Sequence, residues 1–242
     1  NGAGAIESLA DGSVILGATY TATDRDGDAV TTTITTDLGG NVQFENSVPA
    51  PVSSQVVSGG AVMLTQDADT VGGANDTSTA GAFAQQFLNA ITPNYSGDLN
   101  GTEALSGWNL SLSSSASGLT TNNGTAITLS LVNGVVYGTT ATSTPTGETV
   151  GSVSNVIFTI QVDGSGNVTT TQYGAIDHDP NGAGALESLA DGSVILGATY
   201  TATDRDGDFV TTTITTDLGG NVQFENSVPA PVSSQVVSGG AV

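Results

Sequence analysis

The sequence predicts an all-β protein made of antiparallel, immunoglobulin-like β-sandwich repeats with one short helix. Thr, Ser, Val, Asn and 33 glycines are abundant among the 242 residues, which favours strands and tight turns. Several stretches alternate apolar and polar residues with the period of two that is typical of half-buried strands. Residues 1–62 also return as residues 181–242 with only two differences, a period of 180 residues. We therefore expect the chain to be an excerpt of a tandem array.

The repeated segment reads as three strands joined by two turns. Residues 14–23 and 29–36 have the composition and alternation of strands. The acidic string at 24–28, Asp-Arg-Asp-Gly-Asp, lies between them and is predicted as the loop of a β-hairpin. A glycine-rich turn at 37–41 leads to a short third strand at 42–45. Three such strands cannot bury a core alone.

A connection and a helix follow the three predicted strands. Residues 46–60 contain Pro49 and Pro51 and few residues that must be buried, so they are predicted as a semi-rigid linker. Residues 80–91 place apolar side chains at helical spacing, and Pro93 ends the helix.

The remaining strands are predicted from alternation and from turn dipeptides. Asn133-Gly134 is the pair that a two-residue type I′ hairpin turn requires, because both positions need positive φ. The predicted strands are residues 108–112, 126–131, 135–138, 154–162 and 168–173. With the second copy of the repeat they make about eight strands, the size of a two-sheet sandwich.

These elements predict four regions. Residues 1–48 are the C-terminal half of a preceding copy, 49–93 a linker plus the helix, 94–228 a complete sandwich, and 229–242 the start of the next linker. Half a domain without its partner strands should fray at its ends. Two alternative arrangements would hold residues 1–48 in place. Either each repeat is a split domain, whose early segment pairs with strands much later in the chain, or neighbouring molecules swap segments.

Charge excludes several classes of partner. The chain has 23 acidic and two basic side chains, the latter Arg25 and Arg205 inside the two acidic strings, and a net charge of -21. Such a chain repels nucleic acid and anionic membrane surfaces, and its self-repulsion calls for bound cations. No window approaches the roughly 18 apolar residues of a membrane span, and the absence of cysteine excludes disulfides and thiolate metal sites.

The repeated acidic string is the strongest candidate for chemistry. It places three carboxylates within five residues around a glycine, and Ca²⁺ prefers such oxygen ligands in a flexible loop. The alternative is a solvated acidic turn. The two strings contribute Asp24, Asp26, Asp28, Asp204, Asp206 and Asp208. The further candidate ligands are Asp177, Asp179, Glu45, Glu225, Asp67 and Asp69. The loop from Asp98 to Glu103 is another oxygen-rich stretch, for which a plain turn is the favoured interpretation.

Catalysis is not expected. His178 is the one histidine and lies between two aspartates, but no nucleophile or zinc-ligand pattern accompanies it, and a turn explains it better. Trp108 and Tyr95 could form a sugar-binding platform, yet Trp108 alternates in phase with leucines and is predicted to lie in the core.

Three stretches in order resemble the tandem repeat domains of very large type-I-secreted bacterial adhesins of the RTX class. They are GLTTNNGTAITLSLVNGVVYG (118–138), NVIFTIQVDGSGNVTTTQYGAIDHDP (155–180) and YTATDRDGDFVTTTITTDLGG (200–220). The resemblance covers about residues 95–228, with 1–48 as the end of a preceding copy; the stretch from about 46 to 93 departs from the pattern. It implies a calcium-binding β-sandwich that extends an adhesin.

The expected function is therefore a structural extender repeat on the bacterial cell surface, rigidified by extracellular Ca²⁺, which projects a distal ligand-binding domain. Its expected partners are neighbouring repeats of the same chain, with no membrane insertion and a monomeric state. A calcium-dependent carbohydrate- or surface-binding module is the alternative.

Overall fold

The computed structural model describes residues 2–50, 52–53, 55–57, 60–98, 100–140, 155–179 and 182–228. Within these residues the chain is almost entirely β, with mostly antiparallel sheets and one α-helix. The predicted fold class, an all-β antiparallel sandwich with a short helix, is confirmed. None of the helices in this part of the chain is both long and apolar enough to cross a membrane.

The strands fall into three groups along the chain. The first copy of the repeat forms β1 (Ile6–Ser8), β2 (Ile15–Thr23), β3 (Ala29–Asp37) and β4 (Gln43–Glu45). The middle region forms β5 (Gln55–Val57), β6 (Met63–Gln66), β7 (Asp76–Ala80), β8 (Gly101–Leu112), β9 (Ala116–Thr120), β10 (Ala126–Val132), β11 (Val135–Thr139), β12 (Val156–Val162) and β13 (Val168–Gln172). The second copy forms β14 (Leu186–Ser188), β15 (Val194–Asp204), β16 (Phe209–Asp217) and β17 (Val222–Glu225). Helix α1 spans Phe83–Asn89, and short 3-10 helices span Gly39–Asn41, Asp67–Gly73 and Gly219–Asn221.

The chain forms two compact units. The first comprises Asn1–Val52, Pro93–Glu103 and Thr201–Val210, and the second comprises Ser53–Thr92, Ala104–Tyr200 and Thr211–Val242.

The core of the second unit lies between β-sheets. A six-stranded antiparallel sheet has the order β7-β13-β12-β11-β10-β9, and a three-stranded sheet has the order β14-β17-β6. Phe158 of β12 packs on Phe224 of β17 with ring centroids 5.1 Å apart, and both side chains are fully buried. A further sheet has the order β5-β16-β15-β8. Each large side chain buried in this way stabilises the fold by about 1.5–3 kcal/mol.

Helix α1 belongs to the second unit and packs its apolar face on the rest of that unit. Phe83 and Phe87, four residues apart, are fully buried, and the Phe87 ring lies 5.1 Å from that of Trp108. The helix is shorter than the predicted 80–91, because the residues before Gly81 belong to β7 and pair with β13. Trp108 is half-buried against the helix and does not belong to the fully buried core that was expected to hold it.

The region predicted as a linker, 49–93, also contains three strands. Strand β5 pairs in parallel with β16, β6 pairs in parallel with β17, and β7 pairs antiparallel with β13. These pairings join residues far apart in sequence. The two parallel pairs are departures from the antiparallel pattern.

The first copy of the repeat forms two separate strand pairs in the first unit. Strand β1 pairs with β4, and β2 pairs with β3 across the acidic loop, as the hairpin prediction required. Among the described residues, β1 to β4 pair only with one another. Their apolar side chains stay exposed: Leu16 is 56% and Tyr20 is 55% exposed.

Candidate metal centre

The first acidic loop is a tight turn held by its own backbone. The Asp24 N–H donates to the Asp28 carbonyl at 2.9 Å, and Asp24 Oδ1 accepts from the backbone N–H groups of Gly27 and Asp28 at 3.1 and 2.9 Å. Gly27 has φ of 101°, a conformation that side-chain-bearing residues rarely adopt. The turn places one carboxylate oxygen each of Asp24, Asp26 and Asp28 within 4.8 Å of one another, all on exposed side chains.

The side chains of Asp24 and Asp26 interact in this loop. A side-chain hydrogen bond from Asp26 holds the pKa of Asp24 below its usual value, and the backbone N–H of Asp28 adds to that effect. An exposed cluster of this kind is open to solvent on all three side chains.

The second acidic loop repeats the turn in different surroundings. Asp204 N–H again donates to the Asp208 carbonyl at 2.9 Å, and Asp204 Oδ1 accepts from Gly207 and Asp208 N–H groups at 3.1 and 2.8 Å. Here, however, the group of carboxylate oxygens within 4.8 Å consists of Asp98, Asp204 and Asp206. Asp98 lies 106 residues before Asp204 in the chain, so this centre joins two separate loops.

Asp204 is the deepest member of this centre. It is only 6% exposed, and its Oδ2 atom is buried without a hydrogen-bond partner among the described residues. An unpaired buried carboxylate oxygen is costly, and a coordinated cation is one of the arrangements that remove the cost. Neither Arg25 nor Arg205 makes a salt bridge within the described part of the chain. The Asp204 carboxylate is therefore not paired with an arginine there.

The neighbouring carboxyl groups perturb Asp206, which is exposed. Its pKa is raised, first by the interaction of its side chain with that of Asp204, then by desolvation and by the negative charges of Asp204, Asp208 and Asp98. Three carboxylates gathered in this way are a group that could hold a divalent cation.

Residues that follow β4 contact the same loops within the first unit. Asn46 Nδ2 donates to Asp208 Oδ2 at 2.6 Å, and Asp208 is not a member of the carboxylate group. Ser47 Oγ lies 3.5 Å from Asp98 Oδ2, and the Ala50 N–H donates to the Asn94 carbonyl at 2.8 Å. A hollow beside this contact is lined by Ala5, Glu7, Phe44, Glu45, Asn46 and Asp206.

Asp67 makes hydrogen bonds within the fold of the second unit. Its Oδ1 accepts from Gln172 Nε2 and from the Ile176 N–H, and its Oδ2 lies 3.7 Å from Nδ1 of the buried His178. Burial raises the pKa of Asp67. The second ring nitrogen of His178, Nε2, lies 3.1 Å from the Phe224 carbonyl, so both ring nitrogens face groups of the fold.

The other predicted ligands do not gather into a carboxylate group within the described ranges. Asp69 is exposed, and Asp177 is placed by its backbone N–H, which donates to the Thr120 carbonyl at 2.8 Å. The Asp179 N–H donates to Glu187 Oε1 at 3.3 Å, and Glu225 Oε2 accepts from Gln66 Nε2 at 3.0 Å.

The structure thus brings together five of the predicted ligands, in two groups, and adds one that was not among them. Asp98 was missed because its loop reads equally well as a plain turn in sequence. The one available signal was the oxygen-rich stretch that starts at this residue, and its partner loop could not be known without the fold.

A family model described as a domain of unknown function (DUF5801) matches residues 63–219 of the chain. A search of curated proteins finds no match.

Proposed function

The chain belongs to the DUF5801 family of domains of unknown function, and we propose that it is a structural extender repeat of a bacterial surface adhesin. In this role Ca²⁺ rigidifies the repeat, and the string of repeats projects a distal ligand-binding domain away from the cell. The repeat catalyses nothing.

The observation that carries the proposal is the buried, unpartnered Oδ2 of Asp204 beside Asp98 and Asp206. Three carboxylates fit Ca²⁺, which takes about six to eight oxygen ligands at irregular geometry. Backbone carbonyls of the turn and water complete such a ligand set in many proteins. The net charge of -21 favours the same cation.

The position of the centre supports a mechanical role. Asp98 and Asp204 come from two loops, and a shared cation would hold these loops together. The same loops receive the hydrogen bond from Asn46 and the contact from Ser47, which directly follow β4. Ordering the loops would therefore stiffen the chain where β4 gives way to the middle region.

The acidity of the chain also supports a fold whose stability depends on the calcium concentration of the compartment. Where calcium is scarce, repulsion among the aspartates loosens the chain, and millimolar calcium outside the cell offsets it. Since binding to the folded state stabilises that state, calcium and folding are linked.

Thermal unfolding with calcium and with a chelator tests the calcium part of this proposal. The midpoint should rise with calcium, by an amount that grows with calcium concentration. An unchanged midpoint would overturn it. Small-angle scattering of a chain of several repeats tests the extender part, because a rod in calcium should become a shorter, more flexible particle after chelation. A particle of the same dimensions in both conditions would contradict the mechanical role.

A further inference from the structure

The same sequence lies in two different environments in this chain. Tyr200 is fully buried, whereas Tyr20, at the same position of the repeat, is 55% exposed. The contrast recurs at three further apolar positions: Leu196, Ile214 and Phe224 are fully buried, and their first-copy counterparts Leu16, Ile34 and Phe44 are 56%, 59% and 60% exposed. We call residues 2–48 the first back segment and residues 182–228 the second back segment.

We call residues 53–179 the front segment; its described residues cover the second back segment. Strand β5 pairs with β16, and β6 pairs with β17. The Ser113 N–H donates to the Ser193 carbonyl at 3.0 Å, and Phe158 packs on Phe224. The front segment thus supplies both the edge strands and the opposite side of the core.

We propose that the exposed apolar face of the first back segment is a binding surface for another front segment, a polypeptide with the sequence of residues 53–179. The two back segments differ at two positions, Ile6/Leu186 and Ala29/Phe209. Leu186 and Phe209 are 52% and 67% exposed in the covered copy, so neither difference lies in the buried face. Every side chain buried in the second back segment has an identical counterpart in the first.

The stoichiometry of segments identifies the occupant. This chain carries two back segments and one front segment, and its front segment already covers the second back segment. A second copy of the chain has the same imbalance, so an exchange between copies would leave as many apolar faces exposed as before. The occupant is therefore the front segment of another repeat.

The energetic reason for binding is the exposed surface itself. An isolated two-stranded hairpin is marginally stable in water, and β2–β3 exposes large apolar side chains along its length. Covering them would recover the burial that the second copy already has. This inference does not depend on calcium and would survive the failure of the proposed function.

Hydrogen exchange on an N-terminally extended chain tests the inference. Residues 53–180 are joined ahead of Asn1 of the complete chain, and exchange is compared with that of the unextended chain. Peptides that span position 29 carry Ala in the first back segment and Phe209 in the second, so mass spectrometry separates the two copies. We expect amide exchange in residues 29–37 to slow by roughly 100-fold or more, toward the rate of residues 209–217.

A matched variant excludes an unrelated effect of the longer chain. Leu16→Asp with Tyr20→Asp alters side chains that are exposed in the unextended chain and should leave its unfolding midpoint nearly unchanged. In the extended chain the same pair should abolish the protection of residues 29–37 and leave that of residues 209–217 intact. Unchanged exchange in residues 29–37 on extension, or protection that persists in the variant, would overturn the inference.

Discussion

The rings of Phe158 and Phe224 lie 5.1 Å apart at an interplanar angle of 46°, and this contact joins the six-stranded sheet to β17. Phe224 has a natural control in the same chain, since Phe44 occupies the same position of the repeat and is 60% exposed. Phe224→Ala should lower the free energy of unfolding by about 3–5 kcal/mol, because it leaves a cavity in the core. Phe44→Ala should change it by no more than about 0.5 kcal/mol. Chemical denaturation of the two variants checks the difference, and equal losses would contradict the assigned burial.

The second prediction concerns the ligands of the metal centre. Asp98→Asn and Asp204→Asn should each weaken calcium binding at the second loop by tenfold or more, an order-of-magnitude expectation for the loss of one charged ligand. Isothermal titration calorimetry measures this. Glu103→Gln removes a nearby exposed carboxylate outside the carboxylate group and serves as the matched charge control. Equal affinity in the wild type and in Asp98→Asn would remove Asp98 from the ligand set.

The third prediction compares the two acidic loops. The second loop should bind calcium more tightly than the first, because it has a buried carboxylate and a ligand from a separate loop, whereas the first loop is exposed on all three side chains. Asp24→Asn should therefore affect only the weaker binding step, and Asp204→Asn the tighter one. Titration of each variant separates the steps. Loss of the tighter step in Asp24→Asn would reverse the assignment.

The pH dependence of stability follows from Asp206. Its pKa is raised in the folded chain, so the folded state holds this proton more firmly than the unfolded state. The stability that this group contributes in the absence of calcium is therefore greatest below the ordinary pKa of an aspartate, and it is lost as the pH rises through the raised pKa. Thermal melts of wild type and Asp206→Asn in chelator should diverge as the pH rises over this range, with the variant the more stable. Parallel curves would rule out this contribution.

Gly138 tests the packing of β11 on β12. A Cβ atom at this position would meet the Phe158 ring, whereas a Cβ at Gly164 would meet no atom within 4 Å. Gly138→Ala should destabilise the fold by about 1–3 kcal/mol through overpacking. Gly164→Ala, in the turn after β12, should be nearly neutral. The unfolding midpoints of the two variants measure the difference. An unchanged midpoint in Gly138→Ala would contradict overpacking at this position.

Local structure was largely predictable from the sequence. The alternation of apolar and polar residues located β2 and β3, and the acidic string between them is the hairpin loop. Asn133 and Gly134 have φ of 50° and 81°, as the type I′ turn requires. These features depend on neighbouring residues and on backbone sterics alone, which is why short stretches of sequence determine them.

The candidate site was predictable only in part. Asp204 and Asp206 follow from the acidic string, but Asp98 joins them because the fold brings its loop to the turn between β15 and β16. Strands β5 and β7 were hidden in the same way, since they find their partners more than 80 residues later in the chain. Short apolar runs between prolines and glycines carry no local sign of such distant pairing.

By itself, the sequence determined the repeat, the hairpins, the acidic loops and the all-β class. Only the tertiary structure decided which copy of the repeat is buried, because Tyr20 and Tyr200 have identical neighbours in sequence and different neighbours in space. Burial depends on strands supplied by residues 53–179, and the acidic loop acquires its third carboxylate from Asp98 in the second copy alone. A local pattern can specify a strand and a turn, but the partner that covers them is a property of the whole fold.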